Sequence, residues 1–311
     1  VGLEAYKLKG EHFELAPTDS GFPEALLNLE EPPERLYGIG NPAVLREGLA
    51  IVGARKATPY GKSLARHFSA LAAEKEVVVV SGGARGCDSC AHEAALSVNG
   101  PTVVFLGGGC HQLYPSENIP LFQRVVAQGG AVVSEHPWEF PPMPHTFRAR
   151  NRLIAGLARA TLIVEAGLPS GTFSTADEAL RAGREVWVVP GAITSRWSKG
   201  SNRLLHQGAT PIVDDESFTD ALFSTFGCLK QEEVRATSRT DKTSEEKEDS
   251  PETKLLAALQ AEPLAMDQLQ TLAQDLFGEQ EALTRLMLLL ASCQRSGLIA
   301  QYPDGRYGPN L

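Results

Sequence analysis

Apolar residues in this chain gather into short runs that end in glycine and are followed by helical spacing. Residues 49–53 form the first run, and Ala54-Arg55-Lys56-Ala57-Thr58-Pro59-Tyr60-Gly61 follows it. Thr58 is placed to cap a helix and Pro59 to occupy its first turn, after which Leu64, Phe68 and Leu71 recur at helical intervals. The pattern then repeats. Residues 77–80 are β-branched or apolar without alternation, as in a strand buried on both faces, and they end in Ser81-Gly82-Gly83-Ala84-Arg85-Gly86. Asp88 can cap the next helix, which carries Ala91, Ala94, Ala95 and Leu96. Further strands are predicted at 102–106, 131–134, 161–165, 186–189 and 209–213, with a helix over 119–127. Strands that alternate with helices predict an α/β domain over 49–226, with a mostly parallel sheet covered on both faces, because parallel pairing needs crossovers.

The flanks read differently. Residues 1–48 are broken by Pro17, Pro23, Pro32, Pro33 and Pro42, which predicts short helices and turns packing as a lead-in. Residues 227–250 are rich in charge and hydroxyls without apolar periodicity, and read as a linker. From 251 to 311 helical spacing returns at Leu255, Leu256 and Leu259, at Met266, Leu269 and Leu272, and at Leu283, Leu286 and Leu290, before a hairpin signal over 298–308. Three helices and a hairpin predict a small winged helix.

In such a sheet the loops at the carboxyl ends of the strands bind ligands. The glycine turns at 53, 82–86, 107–109, 170–172 and 190–191 all follow predicted strands, so they fall on one edge. Glycine lets backbone approach a ligand, and a helix N-terminus offers free N–H groups to an anion. Gly53-Ala54-Arg55 lacks the later glycines of a dinucleotide fingerprint, and Gly61-Lys62-Ser63 lacks the first glycine of a P-loop.

Charge sharpens this picture. The net charge is −9, yet residues 145–203 hold nine Lys/Arg against four Asp/Glu. A basic band on an acidic body suits a localised anion site. Residues 255–311 carry three basic and six acidic groups, which argues for a protein-contact or regulatory role of the tail over duplex DNA binding. Five cysteines, an odd number, favour reduced thiols. Cys87 and Cys90 form a lone C-x-x-C that reads as packing, and a zinc site would have to recruit His92, His111 or Cys110 from a distance. No catalytic, metal or cofactor constellation is expected. No run approaches the roughly 18 apolar residues of a membrane span, so no membrane association and a cytoplasmic location are expected. The chain begins at Val1 rather than Met, and a native N-terminus with its targeting information is expected to be missing.

The motifs resemble those of the DNA-processing protein A family (DprA, also called Smf). The resemblance rests on Ile51 through Gly61, Ala84-Arg85-Gly86-Cys87-Asp88 with Ala91-His92, and Tyr114-Pro115-Ser116-Glu117-Asn118. It continues through Arg150-Asn151-Arg152-Leu153-Ile154-Ala155-Gly156-Leu157, Ser170-Gly171-Thr172, Gly183-Arg184-Glu185-Val186, Val189-Pro190-Gly191 and Gly200-Ser201-Asn202-Arg203-Leu204-Leu205. The motifs keep their order over about residues 20–215. The resemblance implies an extended Rossmann-like, doubly wound sheet with a C-terminal winged helix. It also implies single-stranded DNA binding and protection, loading of a RecA-type recombinase in natural transformation, and homodimers.

For such a ligand, phosphate contacts are expected from Arg55, Arg85, Arg148, Arg152 and Lys199, with the N–H groups of Gly171 and Thr172 forming a nest. Asn151 and Asn202 are expected to hydrogen-bond the strand, and Phe147 and Tyr60 to stack on bases. Lys56, Gly86, Arg150, Ser170 and Arg203 complete the expected contact set. Two departures stand out: cysteines replace small apolar residues around Asp88, and Asp177 and Glu178 add acid beside the Ser-Gly-Thr turn. The alternative is enzymatic. Pro169-Ser170-Gly171-Thr172 begins the P-G-G-x-G-T-x-x-E pattern of phosphoribohydrolases that act on nucleoside monophosphates, with Asp177 in place of the glutamate.

Overall fold

A computed structural model of the chain describes residues 7–227, and beyond them 255, 258–259, 264–278, 282–295, 299–302 and 306–309. The chain divides into two compact units, residues 1–231 and 232–311.

The first unit is built on a nine-stranded sheet of order β1-β2-β6-β5-β4-β3-β7-β8-β9. Its parallel strands are β3 (Gly48–Val52), β4 (Val79–Ser81), β5 (Thr102–Phe105), β6 (Ala131–Ser134), β7 (Ala158–Ile163), β8 (Glu185–Val188) and β9 (Thr210–Pro211). All seven predicted strand regions are occupied, with ends displaced by at most three residues. From β3 the chain winds outward through β4, β5 and β6, then returns to the other side of β3 for β7, β8 and β9. The topological switch point therefore lies between β3 and β7.

Residues 7–48 hold the expected turns and short helices, α1 (Glu24–Leu27) and a 3-10 turn at Pro42–Val44, and add sheet that was not expected. They supply two strands, β1 (His12–Leu15) and β2 (Leu36–Gly40), which extend the sheet antiparallel beyond β6. The turn-forming prolines lie between and beside these strands, not within them. Gly38 has a structural reason: the Phe13 ring on the paired strand occupies the space a Cβ would fill.

Side-chain alternation along each central strand divides the core into two faces. Ala50, Val52, Val80, Val103, Phe105 and Ile163 pack beneath α1 (Glu24–Leu27), α5 (Pro144–Gly156), α6 (Thr172–Arg181) and α7 (Lys199–His206). Leu49, Ile51, Val79, Leu162 and Trp187 face α2 (Pro59–Glu74), α3 (Cys87–Ser97) and α8 (Asp215–Phe226). Val104 and Val132 lie under α4 (Ile119–Ala127), which seats Leu121, Phe122 and Val125. Cys87 and Cys90 are buried free thiols of α3, and burial pushes both up from their ordinary range, Cys87 the further.

In the second unit, α9 (Met266–Phe277) and α10 (Ala282–Arg295) precede an antiparallel pair, β10 (Ile299–Gln301) with β11 (Tyr307–Pro309). Leu255, Leu259, Leu269, Leu286, Leu290 and Ile299 form its core. The first of the three expected helices falls mostly outside the described residues, as does the expected linker apart from Gly227. No helix among the described residues is long and apolar enough to cross a membrane.

Beneath α3, His92 is fully buried and its Nδ1 lies 2.7 Å from Thr102 Oγ1. The Thr102 hydroxyl donates to the Val79 carbonyl, so it accepts from Nδ1–H. Burial, assisted by the charge of Arg150, lowers the imidazole to about 3. Its unfolded value is about 6.5, so between these limits the unfolded chain binds the extra proton and stability rises with pH. The contribution is full above about pH 6.5 and declines by up to about 1.4 kcal/mol per pH unit as pH falls toward the folded value. Urea denaturation from pH 6.5 to 4.5 should show this additional slope in the parent chain and its loss in His92→Gln.

Candidate functional site

A cleft of about 740 Å³ opens at the switch point, lined by residues from the loops after β3, β4 and β7 together with α5. Nine of the sixteen expected contact residues line it: Arg55, Lys56, Phe147, Arg148, Arg150, Asn151, Ser170, Gly171 and Thr172. Helix α5 supplies four of them, Phe147, Arg148, Arg150 and Asn151. Phe147, Asn151 and Ile154 recur on one helical face toward the cleft, and Arg148 stands beside Phe147.

The wall combines cations with aromatic rings. Arg55, Lys56 and Arg148 are exposed and form no ion pair among the described residues. The Arg55 guanidinium lies 5.6 Å from the centre of the Phe147 ring, and Tyr114 packs on that ring at 5.5 Å between centroids. Gly107 lies against Phe147, where a Cβ would come within 2.8 Å of the ring. A ring held in this way, partly exposed beside a guanidinium, presents a flat apolar surface next to positive charge.

The N-terminus of α6 contributes its positive end to the same cleft. Its Gly171 N-cap has no side-chain cap bond. The expected nest is altered, because the Thr172 N–H donates to the Ser170 hydroxyl at 3.2 Å, a local turn bond that occupies one of the two donors.

Arg150 is corrected from a ligand contact to a buried support. It is 4% exposed, and its guanidinium donates to the carbonyls of Gly82, at 2.7 Å, and Phe105. Those carbonyls lie at the carboxyl ends of β4 and β5, so the side chain joins the two strands to α5. Gly82 is required there, since a Cβ would approach the guanidinium to 2.7 Å. Asp88, also buried, accepts N–H bonds from Gly82 and Ala84 at 3.2 and 3.4 Å. Burial raises its carboxyl above the usual range, with Arg150 and Arg55 acting in the opposite direction. Burial likewise lowers Arg150, to about 10.

Arg152 is also corrected. It reaches away from the cleft and forms a two-pronged pair with Glu135, 2.7 Å on one side, while its Nε donates to the Glu31 carbonyl at 2.9 Å. Both partners of this pair are largely buried, with side chains 14% and 13% exposed. Asn202 is occupied as well, donating to the Gly191 carbonyl and accepting the Gly191 N–H at 2.9 and 3.1 Å.

Tyr60, Arg85, Gly86, Lys199 and Arg203 fall outside the cleft wall. The Tyr60 hydroxyl donates to the Pro190 carbonyl, and Arg85 pairs with Glu117 on the surface. Gly86 is a packing glycine with φ of 84°, and the Ala54 carbonyl occupies its Cβ position. Lys199 and Arg203 are exposed on α7. Tyr114 and Trp197 line the cleft without having been expected there. Tyr114 lay in a quoted motif, and its aromatic type was the available signal; Trp197, two residues before Lys199, had no local one.

The acids beside the turn lie clear of this wall. Asp177 is exposed and is not among the cleft residues, and Glu178 pairs with Arg181 at 2.8 Å on the same helix. The phosphoribohydrolase pattern therefore loses the acid it needs at the site. A different carboxylate holds the first loop. Glu165 accepts from the Thr58 N–H at 2.8 Å and from its hydroxyl at 2.6 Å, fixing the residue that caps α2 and with it the turn carrying Arg55 and Lys56.

Removing a partner from the Arg152–Glu135 pair leaves a largely buried charge without compensation. Arg152→Ala should lower stability by about 3 kcal/mol, whereas Arg148→Ala should stay within about 0.5 kcal/mol of the parent. Denaturant titration of both variants measures the difference.

Comparison with known proteins places this geometry in context. Residues 14–223 match the family described as DNA recombination-mediator protein A. The Escherichia coli protein Smf is 40% identical over 217 residues, covering 69% of this chain and 58% of the relative. A Synechocystis protein Smf is 32% identical over 335 residues, covering 98% of this chain and 82% of that protein. The chain thus spans little more than half the length of the Escherichia coli relative. Two solved structures share the fold of the first unit. DNA processing protein A from Streptococcus pneumoniae has a TM-score of 0.63 at 31% identity, over 68% of this chain and 74% of that one. DNA processing protein A from Helicobacter pylori, described for its single-stranded DNA binding mode, has a TM-score of 0.64 at 32% identity, over 70% of this chain and 99% of that one.

Proposed function

This chain belongs to the family of DNA recombination-mediator protein A, and on that premise we propose that its cleft holds single-stranded DNA without reading sequence. The observation that carries the proposal is the union of three exposed cations, without an ion pair among the described residues, with a supported aromatic ring at one switch-point cleft. Phosphates repeat along a strand while every base offers a flat face, so alternating charge and ring surfaces hold any sequence. Arg55, Lys56 and Arg148 take phosphates, the Gly171 N–H adds a donor, and Asn151 hydrogen-bonds the strand. Phe147 and Tyr114 supply the stacking surface. Lys199 and Arg203, exposed and close in sequence to Trp197, extend the cationic path.

The biological role in this proposal is protection of the strand and loading of a RecA-type recombinase during recombination, in the cytoplasm and as a homodimer. The acidic second unit, read as a winged helix, contacts protein rather than duplex DNA. The six acidic and three basic residues over 255–311 support that assignment, because a polyanion favours the opposite balance.

Fluorescence anisotropy with labelled oligo-dT across a salt series tests the binding site. Arg55→Ala and Arg148→Ala should each weaken binding and reduce the magnitude of the salt slope by about 0.7, one single-strand phosphate contact. Unchanged affinity and slope in both variants would remove the cleft from the DNA path.

A further inference from the structure

The loop after β8 brings a second aromatic ring to the cleft. Trp197 lines it together with Gly167 and the Ser170 turn, and the Arg196 guanidinium lies over the indole, 4.7 Å from the ring centre. Arg196 is exposed and forms no ion pair among the described residues. The pair repeats the arrangement of Arg55 over Phe147. The two units come from different parts of the sheet. Arg55 follows β3 and Trp197 follows β8, and β7 with its Ser170 turn lies between these strands. Two strand spacings amount to about 10 Å, against about 3.4 Å between neighbouring bases along one strand of a duplex.

The backbone that carries Trp197 is held on both sides. After it, Ser198 and Gly200 are buried, and the N–H groups of Gly200 and Ser201 both donate to the Ala166 carbonyl, at 2.8 and 3.1 Å. The Ser201 hydroxyl accepts the Ala166 N–H at 2.9 Å. Before it, the Ser195 hydroxyl accepts the Trp197 N–H at 3.2 Å, and the Ser198 side chain fills the space that a Cβ on Gly191 would need. Asn202, bonded to both the N–H and the carbonyl of Gly191, closes the base of the loop. A side chain on backbone fixed in this way loses little freedom when a ligand arrives. Packing does not account for the ring itself. Trp187 is fully buried, whereas Trp197 stays half-buried between buried neighbours and turns surface to the cleft.

We propose that Trp197 is a second base-stacking platform of the cleft, which receives a base of single-stranded nucleic acid on the face of the indole away from Arg196. The inference rests on the strand-binding reading of the cleft and adds a subsite to it. Indole is the strongest cation–π partner among the side chains, so Arg196 stays on the ring and keeps a positive charge beside the stacked base, where its phosphate lies. Stacking accepts every base, because each has a flat face. Phe147 and Trp197 then take different bases of one strand, with the Ser170 turn and the N-terminus of α6 between them.

The test uses the full chain with oligo-dT, unlabelled for tryptophan fluorescence and end-labelled for anisotropy. Oligo-dT should quench the parent. Trp197→Phe should lose the quenched component while anisotropy still reports binding. Trp138→Phe should keep it, since Trp138 bonds Glu14 on the far edge strand β1. Trp197→Ala should weaken binding about 5-fold or more with an unchanged salt slope, because a neutral ring releases no counterions. Combined with Phe147→Ala, the two losses should multiply, as for groups that share no partner. Trp197→Phe retains a ring in the loop and keeps the test decisive if Trp197→Ala fails to fold. Binding without quenching in the parent, quenching that persists in Trp197→Phe, parent affinity in Trp197→Ala, or a double variant no weaker than Phe147→Ala would each overturn the platform and leave the cleft reading standing. A parent that does not bind oligo-dT would instead overturn that reading, and the platform with it.

Discussion

The Arg150 guanidinium lies buried at the carboxyl ends of β4 and β5, hydrogen-bonded to the carbonyls of Gly82 and Phe105 and attracted by the Asp88 carboxylate. An arginine brought out of water is costly unless its donors and charge find partners. Here the partners are strand-end carbonyls, which would otherwise need acceptor bonds of their own. The consequence is positional. With Arg150 fixed inward, the helical repeat of α5 turns Phe147, Arg148 and Asn151 to the cleft and leaves Arg152 to meet Glu135 on another side. One buried charge thereby sets the orientation of the groups that face a ligand.

The same logic of pairing explains how an acidic chain keeps a cationic cleft. Many arginines of the first unit are paired locally: Arg85 with Glu117, Arg152 with Glu135, Arg159 and Arg184 with the one carboxylate of Glu47, and Arg181 with Glu178. Arg55, Lys56 and Arg148 form no ion pair among the described residues. Screening limits exposed charges to a range of about 10 Å at ordinary ionic strength, so the field at the cleft depends on these neighbours more than on the total of −9. The acids beside the Ser-Gly-Thr turn fit this arrangement, one turned to solvent and one spent on Arg181.

The glycine-ended apolar runs were sufficient to predict a mostly parallel sheet, since burial on both faces erases the polar alternation that an exposed strand would show. They were insufficient for residues 1–48, where β2 pairs with β6 and β1 pairs with β2, partners that no local spacing indicates. Motif order was sufficient to indicate which loops lie at the binding edge, because in a doubly wound sheet every strand-to-helix loop falls there. Of the expected contact residues, Arg55, Lys56, Phe147, Arg148, Asn151 and the Ser170 turn line the switch-point cleft.

Sequence by itself therefore determined the fold class, through periodicity, and the family, through the resemblance of its ordered motifs, and it gathered the glycine turns on one edge of the sheet. Tertiary structure alone decided which charges face a ligand. Arg148, Arg150 and Arg152 occupy one six-residue cluster and are chemically identical, yet one reaches solvent, one enters the core and one closes a salt bridge. Their difference is the helical phase of α5 against a sheet whose strand ends come from residues 45 and 68 positions away. The arrival of Trp197 at the cleft is of the same kind, a placement set by strand order rather than by spacing along the chain.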